Sequence, residues 1–172
     1  MSNAARQDCM NTKTSTRCGL VALGAMLAVL GLLGVSQRVR AQSNPLLGTW
    51  KLDVAKSTFE SGQPLKSQTR TYESSGNGQR ARIESVDATG SRIVYGYTAG
   101  FDGKYYPMSG AGMPGGADSI ALARINANVT GATLRKAGAN VMTATLTVSQ
   151  DGKILTISRT GTASAVLVFE KQ

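Results

Sequence analysis

After residue 42 the chain holds no stretch in which apolar residues recur every three or four positions. Runs rich in Thr, Val, Ile and Tyr recur instead, separated by Gly, Asp and Asn. That pattern belongs to strands, whose side chains alternate between two faces, and it makes the region all-β. Strands are expected over 47–52, 66–74, 79–87, 91–101, 104–107, 118–125, 128–136, 140–149, 153–160 and 164–171. The clearest local signal is T-L-T-V-S-Q-D-G-K-I-L-T-I-S, Thr145 to Ser158, where Asp151-Gly152 stands between two β-rich runs. Such a pair supplies the positive φ angles of a two-residue type I′ hairpin. Asp102-Gly103 is read the same way, which makes both aspartates turn formers rather than acids.

Sequential strands with short connections either close into a barrel or fold as a sandwich. Closure is favoured because both ends of the region are strands, Gly48-Thr49-Trp50 first and a run reaching Gln172 last, which pair with each other only in a closed sheet. The expected fold is therefore a single antiparallel up-and-down β-barrel of about 8–10 strands. At most one short helical turn is expected, in 53–65 with Asp53 as its cap. Met108 to Ala117, with four glycines and a proline, is read as a loop. No Lys-Ser/Thr follows it, so it is not a phosphate cradle.

Gly48-Thr49-Trp50-Lys51-Leu52 on the first strand, with Val168-Phe169-Glu170-Lys171 on the last, resembles the calycins, the superfamily of lipocalins and fatty-acid-binding proteins. From Asn44 to Gln172 the chain resembles the lipocalin-like proteins that bacteria export. The resemblance implies that Gly48 bends the chain at the barrel floor, that Trp50 packs across it, and that a late-strand cation, Lys171 or Arg159, covers the indole. Three features depart from the pattern. Residues 53–65 are too few for the two helices of a fatty-acid-binding protein. Leu167 and Phe169 stand where such proteins carry an Arg-x-Tyr carboxylate clamp, and the Thr-Asp-Tyr loop motif of typical lipocalins is missing. The resemblance thus implies an architecture and does not transfer a ligand.

The N-terminus reads as an address. Cys18 to Val35 is apolar and uncharged, follows Lys13 and Arg17, and leads to V-R-A with small residues before a cleavage point after Ala41. Residues 1–41 are expected to be a signal peptide, with Met10 as an alternative start, and 42–172 the lipocalin-like domain, periplasmic or secreted. The alternative is an uncleaved anchor, since eighteen apolar residues lie near the lower limit of a membrane span. Contact with a membrane is expected only through this segment. Cys9 and Cys18 both fall inside it, so the domain has neither a disulfide nor a thiolate.

Composition narrows the chemistry. The chain has no histidine, which together with the loss of both cysteines removes the commonest base, metal ligand and nucleophile pair. Glu84 and Asp87 fall on opposite strand faces, so they form no acid–base pair. An enzyme, a metal site and a cofactor are not expected. From Gln42 on, 14 Lys and Arg stand against 9 Asp and Glu. Arg80, Arg82, Arg92, Arg124 and Arg135 are scattered singly without interleaved aromatics, which argues against nucleic acid.

In S-R-I-V-Y-G-Y-T-A-G-F, Ile93, Tyr95, Tyr97, Ala99 and Phe101 share one face at period two. Two readings of that face stand: plain core, or the lining of a ligand cavity. The candidate ligand residues are Tyr95, Tyr97, Phe101, Tyr106, Leu122, Leu167 and Phe169, with Gly48, Trp50, Arg159 and Lys171 forming the floor. The expected function is binding of a small neutral apolar or amphiphilic molecule inside the barrel. The alternative is an envelope interaction or inhibitor protein with a filled barrel, and interior volume separates the two.

Overall fold

The computed structural model describes residues 44–61 and 64–172. The apolar segment, both cysteines and the cleavage point after Ala41 lie outside the described residues. Ten strands follow one another: β1 Gly48–Phe59, β2 Leu65–Ser75, β3 Gly78–Asp87, β4 Arg92–Gly100, β5 Asp102–Gly110, β6 Ser119–Arg124, β7 Val129–Lys136, β8 Ala139–Val148, β9 Ile154–Gly161 and β10 Ala165–Lys171. Each strand pairs antiparallel with its neighbours in sequence, and β1 pairs with β10, so the sheet closes into an up-and-down barrel. That architecture is consistent with a calycin-like fold.

Alternation sends one residue in two to the interior. On β3 this places Gln79, Ala81, Ile83 and Ser85 inside and leaves Arg80 and Arg82 in solvent. On β4, Tyr95, Tyr97 and Ala99 are buried, with Ile93 and Phe101 packed against the same core. At the floor, Trp50 is fully buried and lies opposite Lys171 on β10 and Arg70 on β2. Leu122, Leu155, Leu167 and Phe169 are likewise sealed.

Three expectations are corrected. The helical turn in 53–65 is not formed, because β1 continues to Phe59. Asp53 pairs with Val168 and Thr58 with Val166, so residues 54–57 bulge out opposite Leu167. Asp53 still behaves locally as a cap, its Oδ1 accepting from the Lys56 N–H at 3.2 Å. The bulge is fixed to the sheet by the Ser57 hydroxyl, which donates to the Asp53 carbonyl at 2.6 Å and accepts from the Val168 N–H at 3.0 Å. Among the described residues the single short helical element is instead a 3-10 turn at Pro114–Gly116.

Met108 to Gly110 belong to β5 and pair with Tyr95 to Tyr97, so the glycine-rich loop is shorter than expected.

The Asp151-Gly152 connection is not a two-residue type I′ turn. Only Gly152 of the pair has positive φ, and the loop spans 149–153, with Gly152 N–H donating to the Ser149 carbonyl. The hairpin with two positive φ angles is Ala137-Gly138, between the paired residues Lys136 and Ala139.

Candidate functional site

The barrel has a closed end and an open end. At the closed end Trp50 Nε1 donates to the Leu46 carbonyl at 2.8 Å, and the Lys171 ammonium stands 5.0 Å from the centre of the indole. Lys171 is therefore the cation over Trp50. Arg159, the other candidate, lies on β9 toward the opposite end, beside Ala165 in the ladder.

At the open end a cavity of about 220 Å³ is framed by Leu65, Ile93, Pro114 and Ala163, with Gln68, Ser85, Tyr95 and Arg159 deeper in. Tyr95, Pro114 and Arg159 also border an inner void of about 40 Å³ that reaches Ile83, Leu134, Leu146 and Ile157. The inner void has room for about one water, so below the mouth the barrel is filled. A larger concavity, about 680 Å³, lies on the outside of the β2–β5 wall, where Thr71, Glu73, Arg80, Arg82, Gly96 and Thr98 face. It is an open surface groove rather than the barrel interior.

The interior carries a polar column that rises along β2. Tyr72, Arg70 and Gln68 alternate inward from floor to mouth, all buried. The Tyr72 hydroxyl accepts from Arg70 Nη1 at 3.1 Å, and Gln68 Oε1 accepts from Arg70 Nε at 2.8 Å. Gln68 Nε2 in turn donates to Ser85 Oγ at 2.7 Å, at the mouth. Arg70 also lies 5.4 Å from the Phe169 ring centre. Arg159 completes the set, following Leu155 and Ile157 on the inward face of β9. Its Nε is buried without a hydrogen-bond partner. Burial, and the charge of Arg70, pull its guanidinium down from the ordinary value to about 10, with Tyr95 opposing. Among the described residues no Asp or Glu is buried, and every ion pair is on the outside.

The expected ligand residues do not form one site. Tyr95 lines both the mouth and the inner void, whereas Tyr97 reaches only the latter within the barrel. The Tyr97 hydroxyl accepts from Gln79 Nε2 at 3.0 Å, and burial pushes its phenol well above the ordinary value. Leu122, Leu167 and Phe169 are packed core that borders neither cavity. Phe101 lies under the Arg124 guanidinium, 4.4 Å from the ring centre. The Tyr106 hydroxyl donates to Asp102 Oδ2 at 3.0 Å. Asp102 also accepts from the Lys104 N–H, which together with that hydroxyl holds its carboxyl below the usual range. Glu84 points outward between Arg82 and Arg92, which hold its carboxyl low.

Gln68, Arg70 and Ser85 were not anticipated. The signal for them was phase: in Q-T-R-T-Y, Gln68 and Arg70 share period two with the core residue Tyr72, and Ser85 shares it with Ile83.

In comparisons with known proteins, no family model matches the chain, and no curated protein matches it in sequence.

Proposed function

We propose that this protein is an exported binding module that takes a small amphiphilic molecule into the mouth of its barrel. The observation that carries the reading is the mouth cavity, apolar at its rim through Leu65, Ile93, Pro114 and Ala163 and polar at its base through Gln68, Ser85 and Arg159. Ligand sites have this make-up, an apolar lining with a few placed polar groups. Leu167 and Phe169, which led to the expectation of a neutral ligand, border neither the mouth nor the inner void, so the missing clamp on β10 does not bear on the mouth. Binding rather than catalysis is supported by the lining itself, whose described residues include no carboxylate, thiol or imidazole to act as a base. Export to the periplasm or medium rests on the N-terminal sequence alone, as does any contact with a membrane; a nucleic-acid partner has no support in the scattered arginines.

A second reading, an interaction protein with a filled barrel, draws on the sealed lower barrel. Native mass spectrometry of protein purified from an exporting cell separates the two. A co-purifying small molecule that is lost on denaturation is the expected result. Ligand-free protein from such a cell, with a protein partner retained, overturns the binding reading. N-terminal sequencing of the same sample is expected to start at Gln42.

A further inference from the structure

We propose that the occupant of the mouth is a small organic anion, a monocarboxylate on a compact apolar body, received by Arg159 and the Ser85 hydroxyl. The proposal rests on the mouth being a binding site and adds the class of ligand.

Three observations carry it. The first is hydrogen-bond direction. Arg70 Nε donates to Gln68 Oε1, and Gln68 Nε2 donates to Ser85 Oγ. Both acceptors of that chain are engaged from the Arg70 side, which leaves the Ser85 O–H free to donate into the mouth. Arg159 adds further donors and no acceptor. The polar base of the mouth thus offers donors, and a ligand that presents acceptors matches it.

Charge is the second observation. Arg70 and Arg159 share one barrel interior, and among the described residues no carboxylate pairs with either. Arg70 satisfies itself through Gln68, Tyr72 and the Phe169 ring. The Arg159 Nε, by contrast, is buried with no hydrogen-bond partner among the described residues. Its lowered pKa is consistent with a cation that lacks a counter-ion in this setting. A buried unpaired charge is costly unless something neutralises it, and a bound anion does so.

The third is size. At about 30 Å³ for each water-sized unit, the mouth cavity of about 220 Å³ holds roughly seven such units, which limits its occupant to a compact molecule. The void beyond it is too small to extend the site for a long acyl chain. A short or aromatic carboxylate fits, its apolar part meeting Leu65, Ile93 and Pro114.

The test is calorimetric titration of the exported protein with sodium benzoate, benzamide, palmitate and sulfate, on wild type, Arg159→Gln and Arg159→Lys. Benzoate is expected to bind at least tenfold more tightly than its neutral isostere benzamide, and palmitate and sulfate to bind poorly. Arg159→Gln should abolish the preference for benzoate while Arg159→Lys keeps it, with circular dichroism confirming that both variants fold. Equal binding of benzoate and benzamide, or a preference that survives in Arg159→Gln, overturns the anion assignment and leaves the binding reading intact. Sulfate or palmitate binding as tightly as benzoate overturns the compact monocarboxylate. If neither benzoate nor benzamide enters, the binding reading falls and the anion assignment falls with it.

Discussion

Lys171 caps Trp50: the two residues are Cα partners across β1 and β10, and the ammonium stands 5.0 Å from the indole centre while reaching the Pro45 carbonyl at 3.4 Å. Gly48 makes room for this arrangement. Its φ is +121°, and a Cβ there would stand 3.1 Å from the Lys171 Cε. The floor is thus one unit built from both ends of the domain. Trp50→Ala should cost about 3–5 kcal/mol, the range for emptying a site filled by a large aromatic. Lys171→Met keeps the apolar stem over the ring and should cost only about 0.5–1 kcal/mol, the size of an exposed cation–π contact. Urea unfolding followed by circular dichroism checks both. Equal losses in the two variants would mean that the indole does not carry the floor.

Arg159 is expected to be destabilising as it stands. Arg159→Met, similar in length and without the orphaned Nε, should raise stability by about 1–3 kcal/mol, the cost of a buried unsatisfied polar group. The pH dependence follows from the lowered pKa. In the unfolded chain the guanidinium titrates at its ordinary, higher value, and in the folded protein at about 10. Between those values the unfolded state binds more protons, so stability of the wild type rises with pH there. The penalty is therefore full below pH 10 and is relieved as pH climbs through it. The melting-temperature gap between Arg159→Met and wild type should be constant from pH 7 to 9 and begin to narrow above about 10. A gap that widens there contradicts the argument.

Strand number and topology were legible because period-two alternation and turn residues are local signals that closure does not alter. Residues 91–101 show it, with Tyr95, Tyr97 and Ala99 buried and Arg92 and Thr98 outside, as their spacing requires. What alternation does not encode is depth along the barrel axis. Tyr95 at the mouth and Leu167 in the sealed core both lie on inward faces, and only the closed register separates them. The polar column was obscured for a different reason. An arginine on a strand is ordinarily a solvent-facing residue, and Arg70 is buried because Gln68, Tyr72 and Phe169 all receive it, partners drawn from two strands. The extension of β1 past Asp53 depends on Ser57 bonding to β10, more than a hundred residues away.

The Ala137-Gly138 hairpin stores strain that a substitution should release. Ala137 has φ +49°, the left-handed region that a Cβ disfavours, and among the described residues it is the one non-glycine with positive φ. It is held there by Asp118, whose Oδ2 accepts from the Ala137 N–H at 2.6 Å. Ala137→Asn creates Asn-Gly, the preferred type I′ pair, and should stabilise the protein by about 0.5–1 kcal/mol, as should Ala137→Gly to a smaller extent because it loosens the unfolded chain. Thermal unfolding checks this. An unchanged or lower melting temperature for Ala137→Asn would mean that the turn is not strained.

The two tyrosines of β4 should separate by function. Gln79 is fully buried, its Nε2 donates to the Tyr97 hydroxyl, and its Oε1 has no partner. Tyr97→Phe removes the acceptor and leaves the Gln79 amide wholly unsatisfied, which should cost about 1–3 kcal/mol. Adding Gln79→Met to Tyr97→Phe removes the orphan along with its lost partner and should restore most of that stability, because replacing both members of a buried pair by apolar groups is nearly neutral. Binding should not follow stability here. Tyr97 does not line the mouth and Tyr95 does, so benzoate affinity should be unchanged in Tyr97→Phe and altered in Tyr95→Phe. Titration of the three variants at a temperature well below their melting points decides it. An affinity that falls with Tyr97→Phe and is indifferent to Tyr95→Phe would move the ligand from the mouth to the inner void.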